Sequence, residues 1–142
     1  MKHPKDVGDD STLAIIFALR RAGYRILMPF GENTRYDLVT DDGMNLRKVQ
    51  CKTGRFRGGA VLFATCSHYA HHPHPKATQR DYVGQIDDFA VFCPSLGAVY
   101  LVPIDHLEAT SYGTLRVDPA RNGQRKKIKF AAAYEVARID VY

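Results

Sequence analysis

Apolar Leu13, Ile16 and Phe17 recur at helical spacing between the polar cluster Asp9, Asp10, Ser11 and Gly23, which predicts a helix running to about Arg21. Asp9, Asp10 and Ser11 supply N-cap candidates and negative charge for the first turn, and Gly23 supplies the residue that ends the helix. The period then changes. Tyr24 to Phe30 reads as a strand ending near Pro29, Gly31, Glu32 and Asn33 form a turn, and Tyr36 to Thr40 reads as a second strand. Thr40, Asp41, Asp42 and Gly43 carry a turn signal, beyond which Leu46 to Thr53 returns as the partner strand of a hairpin. Gly54, Gly58 and Gly59 interrupt the chain before the apolar run Ala60 to Cys66.

Residues 67–82 break this rhythm. His68, His71, His72 and His74 alternate with Pro73 and Pro75 in a polar stretch long enough to suggest a binding loop rather than a connector. Gly84 to Asp88 is expected to begin a short helix, and Phe89 to Phe92 and Ala98 to Val102 read as buried strands around the Pro94 to Gly97 turn. Phe130 to Val136 fits either a strand or a helix.

Length and composition narrow the possibilities. A chain of 142 residues with 45% hydrophobic content can bury one core, so a single domain over 1–142 is expected. No stretch approaches the roughly 20 apolar residues that cross a bilayer, and the N-terminus lacks the apolar core of a signal peptide. The expectation is an intracellular, cytoplasmic protein with no membrane partner. Cys51, Cys66 and Cys93 are odd in number, widely spaced and set in apolar runs, as suits buried reduced thiols. The net charge of +5 is concentrated in two runs, Arg47 to Arg57 and a segment at 116–129. Such runs suit phosphate contact.

One constellation carries chemistry. Side chains two apart on a strand share a face, so Gln50 and Lys52 point one way and Cys51 the other. If the hairpin register brings Asp37 across from them, a carboxylate, an amide oxygen and an ammonium converge. Phosphodiester hydrolysis uses such a set: oxygen ligands for a divalent cation, and a positive group that orients water and stabilises the extra charge on phosphorus. The backbone carbonyl of Cys51 is a further oxygen candidate.

Arg35, Tyr36, Asp37, Leu38 and Val39, followed by Val49, Gln50, Cys51, Lys52, Thr53 and Gly54, resemble the PD-(D/E)XK nuclease superfamily in the variant where glutamine replaces the second acidic residue. The chain most resembles the small bacterial group that includes group I intron homing endonucleases. The likeness extends through Gly8 and Asp9, the PFGENTRYDLV and VQCKTGR segments, the Ile86, Asp87, Phe89, Ala90 run and Val99 to Pro103. It implies an α/β fold with a restriction-endonuclease-like core, a helix followed by a mixed central β-sheet flanked by helices. It also implies Asp37 as a metal ligand, Gln50 in the second ligand or water-orienting position, and Lys52 as the catalytic lysine. The metal would be Mg²⁺, with Mn²⁺ as a substitute.

Families of this kind often add an acid from the first helix, at a place that here falls near Ser11 and Thr12; Asp9 or Asp10 is the candidate replacement. Double-stranded DNA is the implied substrate, cut by a homodimer or tetramer. The DNA-contact candidates are Arg35, Arg55, Arg57, Lys76, Arg80, Arg121, Asn122, Gln124, Arg125, Lys126 and Lys127. Three alternatives stay open: a Holliday-junction resolvase or other structure-specific nuclease, a DNA-binding module with a degenerate centre, and zinc binding by Cys66 with the four loop histidines.

Overall fold

One long helix, α1 (Pro4–Arg21), lies against a face of a six-stranded sheet, and a small three-stranded sheet covers the other face. The computed structural model describes residues 2–31, 33–66, 84–108, 111–119 and 128–139. The histidine-rich stretch, most of the second basic run, and the candidates Lys76, Arg80, Arg121, Asn122, Gln124, Arg125, Lys126 and Lys127 lie outside the described residues.

The helix begins earlier than its acidic cluster suggests. His3 is the N-cap, its Nδ1 accepting from the Lys5 amide at 3.1 Å, and Pro4 sits where its missing N–H leaves nothing unsatisfied. Asp9, Asp10 and Ser11 are therefore inside α1. Its end is as expected: the Gly23 and Tyr24 amides return to Arg20 and Leu19 carbonyls, with Gly23 at φ +103°.

In chain order the strands among the described residues are β1 (Arg25–Leu27), β2 (Leu38–Asp41), β3 (Leu46–Thr53), β4 (Arg55–Arg57), β5 (Ala60–Ala64), β6 (Asp88–Cys93), β7 (Ala98–Pro103), β8 (Tyr112–Arg116) and β9 (Glu135–Arg138). The large sheet runs β1-β2-β3-β6-β7-β9, and the small one β4-β5-β8. β3 and β6 are parallel and the other pairs antiparallel, so the α/β, helix-then-mixed-sheet reading holds. Among the described residues the second face carries the small sheet where flanking helices were expected.

Four further local differences have physical causes. β1 is shorter than predicted and stops before Pro29, which has no amide to donate to a ladder. No helix forms at Gly84 to Asp88: Ile86 is buried, the Asp87 carboxylate accepts the Lys48 amide at 2.8 Å, and Asp88 is already strand. Strands β4 and β8 are too short and too polar to announce themselves by pattern. Phe130 to Val136 divides between both readings, a 3₁₀ turn at Ala131–Ala133 followed by β9.

Two apolar clusters separate the layers. Ile15, Ala18 and Leu19 of α1 pack on Leu38, Val49, Ala90, Phe92 and Val99, while Phe89, Val91, Tyr100 and Val102 on the opposite face pack on Val61, Phe63 and Leu115. β6 is buried along its whole length because it faces both clusters. Among the described residues no helix is long and apolar enough to cross a membrane.

Gly54 joins the two sheets. Its amide donates to the Phe92 carbonyl at 2.7 Å, the last bond β3 makes beside β6 before the chain turns into β4. A Cβ there would lie 2.7 Å from Val61 Cγ1 and 2.9 Å from Val91 Cγ1, so the sheets meet closely only because residue 54 has no side chain. Gly54→Ala is expected to destabilise the fold by about 1–3 kcal/mol through overpacking. Urea denaturation measures it, and an unchanged midpoint would mean that the sheets separate at no cost.

Candidate active site

The β2–β3 register pairs Leu38 with Val49. Asp37 is a bend just before β2, and its amide donates to the Val49 carbonyl at 2.8 Å, one residue off the ladder's register. Leu38, Val49 and Cys51 belong to the layer beneath α1. Alternation therefore turns Gln50 and Lys52 to the other face, where Phe89 and Val91 are their neighbours on β6.

Asp37 is tied down by its own acceptor. Its Oδ2 receives the Cys51 amide at 2.7 Å, a charge-assisted bond that fixes the carboxylate beside the segment carrying Gln50 and Lys52. Burial raises the Asp37 pKa above its ordinary value, and the Cys51 amide and the Lys52 charge only partly counter it. Lys52 shows the mirror effect. Burial lowers its pKa, opposed by attraction to Cys66 and Asp37, and its Nζ sits 3.5 Å from the Cys66 carbonyl. Two opposite charges are thus held partly desolvated in each other's field, where an electrostatic interaction counts for more than in water.

Cys51 contributes its backbone here and its thiol elsewhere. Burial and the Asp37 charge push that thiol up to about 12, and Thr12 hydrogen-bonds it from α1. A thiol so far from ionising is structural rather than nucleophilic. The three cysteines form no disulfide.

The first helix meets the site through hydroxyls. Ser11 is buried with its Oγ 2.6 Å from Thr53 Oγ1, which stitches α1 to the end of β3. Asp9 is exposed, and Asp10 is exposed and paired with Lys2 at 2.6 Å. Among the described residues no three His, Cys, Asp or Glu side chains gather as a metal group, so neither acid joins Asp37 in such a set.

The first basic run is divided by the fold. Arg47 makes a two-pronged ion pair with buried Asp88, both contacts 2.8 Å, so this cation serves the junction of β3 and β6. Arg35 is half-buried and donates to Gln85 at 2.8 Å. Arg55 and Arg57 are exposed on β4. The Asp88 partnership, the Ser11–Thr53 bond and the Thr12–Cys51 contact escaped the sequence reading. Only the adjacent acids Asp87 and Asp88, in an otherwise apolar run, signalled a buried counter-charge.

A family model described as PD-(D/E)XK endonuclease matches residues 2–137. Among solved structures, the chain is similar to a bacterial homing endonuclease, I-Ssp6803I, with a TM-score of 0.64 and 21% identity over 95% of this chain and 88% of that one. It is also similar to Archaeoglobus fulgidus Hjc, a Holliday junction resolvase, with a TM-score of 0.48 and 15% identity over 77% of this chain and 83% of that one. No curated protein sequence matches it.

The burial of Asp37 has a stability consequence. A carboxyl whose native pKa is raised binds its proton more tightly when folded, so its contribution to stability is present in acid. That contribution is lost as pH rises from the ordinary 3.8 through the raised native value. At neutral pH the ionised group therefore works against folding. Asp37→Asn keeps an acceptor for the Cys51 amide and drops the charge. In metal-free protein at pH 7 its urea midpoint is expected to equal or exceed wild type, and a lower midpoint would contradict this electrostatic reading.

Proposed function

The chain belongs to the PD-(D/E)XK endonuclease family, and on that premise we propose that it is a metal-dependent endonuclease that hydrolyses double-stranded DNA at specific sites, working through Asp37, Gln50 and Lys52. The observation that carries this reading is the Cys51 amide bond to Asp37, which holds a partly desolvated carboxylate in the field of Lys52.

The donor set suits a hard cation. With Asp37 Oδ2 engaged by an amide, its other oxygen, the Gln50 amide oxygen and the Cys51 carbonyl are the ligands for Mg²⁺, which accepts few protein oxygens and keeps several waters. Mn²⁺ substitutes on the same oxygens. Bound there, the cation supplies charge neutralisation at the scissile phosphate and acidifies water. Lys52 orients the attacking water and stabilises the charge that develops on the phosphoryl oxygens. Gln50 is neutral, so Asp37 and Lys52 together give the site no net negative charge. Metal affinity in the free protein is accordingly low, and a DNA phosphate brings the missing charge.

Each centre cuts one strand, so a double-strand break calls for two copies of the chain, which supports a homodimer or a tetramer. Among the described residues no three His, Cys, Asp or Glu side chains gather at the site, which also favours a second reading, a DNA-binding module with a degenerate centre.

Sequencing the ends released from a random-duplex library with Mg²⁺ separates these readings. Wild type is expected to release defined ends. Lys52→Ala and Asp37→Asn are expected to cut at least about 100-fold more slowly while binding duplex DNA within a few-fold of wild type. Wild type and Lys52→Ala equally inactive, with both binding tightly, would leave the degenerate module. In calorimetry, Mg²⁺ is expected to bind at least about 10-fold more tightly with duplex present than without it, as one added negative charge near the ion implies. Equal affinities would contradict the proposed division of ligands between protein and phosphate.

A further inference from the structure

The small sheet has one apolar face and one cationic face. Phe56, Val61, Phe63 and Leu115 point into the core, so period-two alternation sends Arg55, Arg57, Leu62, Tyr112, Thr114 and Arg116 outward. The registers align them. Arg55, Leu62 and Thr114 form one cross-strand row, and Arg57 and Arg116 flank Ala60 in the next. None of the three arginines is in an ion pair among the described residues, although Arg47 of the same basic run is neutralised by Asp88. Arg116 donates to the backbone carbonyl of Asp118 at 2.9 Å, which orients the guanidinium and keeps its charge. No strand position on this face carries a carboxylate; Asp118, just past β8, lies at its edge beside Arg116, so the net charge of the face is carried by Arg55 and Arg57.

From this arrangement, and resting on the endonuclease reading above, we propose that the outer face of β4-β5-β8 docks in a groove of the DNA beside the cut and sets sequence preference there. A face of net positive charge repels a second copy of itself and attracts a polyanion. Its edge fits: the β4–β5 hairpin is a two-stranded ribbon with strands about 4.8 Å apart, and the major groove, about 12 Å wide, admits a two-stranded β-ribbon, with β8 alongside. Its chemistry fits as well. Guanidinium forks meet phosphates or guanine edges, the Thr114 hydroxyl meets either kind of base edge, and Leu62 offers an apolar contact such as a thymine methyl accepts. Its position is constrained by the chain. Arg55 follows Lys52 by three residues, so their backbones are at most about 10 Å apart, well inside one DNA turn of about 34 Å.

The test uses the full chain, random-sequence duplex DNA and Mg²⁺, with Arg55→Ala/Arg57→Ala, Arg55→Lys/Arg57→Lys and Thr114→Val. By fluorescence anisotropy on the duplex pool, the double alanine variant is expected to bind at least 10-fold more weakly than wild type with a shallower salt dependence, and the double lysine variant to recover most of that loss. In the sequenced ends, Thr114→Val is expected to lose base preference at positions within one turn of the cut and to keep it elsewhere. Wild-type affinity in the double alanine variant together with an unchanged end profile in Thr114→Val would overturn the inference and point to an acidic protein partner for this face. Wild type that neither binds nor cuts duplex DNA would remove the endonuclease reading itself, a result distinct from variants that match an active wild type.

Discussion

The hydrogen bond from the Cys51 amide to the Asp37 carboxylate is the constraint on which the site depends. It crosses the β2–β3 hairpin at the point where β3 turns alternate residues to two different layers. Val49 and Cys51 go to the helix-side core, Gln50 and Lys52 to the other face. A slip of one residue in this pairing would exchange the two sets, sending an amide and an ammonium beneath α1. The buried partners of Val49 make that slip costly, so the hydrophobic core of the helix layer holds the polar register on the opposite side.

The fold also decides how charge is spent along the chain. Arg47 and Lys52 are five residues apart in one basic run, yet Arg47 answers a buried carboxylate, while Lys52 stands in the field of Asp37 with its ammonium partly desolvated. Past Gly54 the chain leaves the large sheet, and the next two arginines face outward on the small one. One continuous stretch of sequence thus supplies a structural cation, a site cation and surface cations in turn. The cause is the junction of β3 with β4, which only a residue without a side chain permits.

Much of this was legible in the residues. The turn signal at Thr40 to Gly43 and the break at Gly54 bracket Leu46 to Thr53, and the parity of Gln50, Cys51 and Lys52 follows from strand geometry alone. Gly23 marked the helix end because a left-handed residue is needed there. The helix start misled because Asp9, Asp10 and Ser11 look like a cap, whereas Pro4 and His3 form it and Ser11 is committed to Thr53 across 42 positions. Long-range polar pairs of this kind leave no periodic trace. The approach of Asp37 to the Cys51 amide was equally beyond pattern, since it depends on a register set by the turn at Asp42 to Asn45, where Asp42 Oδ1 accepts both the Met44 and Asn45 amides.

In the proposed centre a cation sits between Asp37, Gln50 and the Cys51 carbonyl when DNA is present. Anomalous scattering from Mn²⁺ in crystals of the protein with a cleavable duplex locates that cation. The expected result is a manganese peak bonded to Asp37, Gln50, the Cys51 carbonyl and a DNA phosphate, with Lys52 Nζ facing that phosphate. A peak held by other residues, or an ordered complex with DNA seated at Lys52 and no peak beside Asp37, would contradict it.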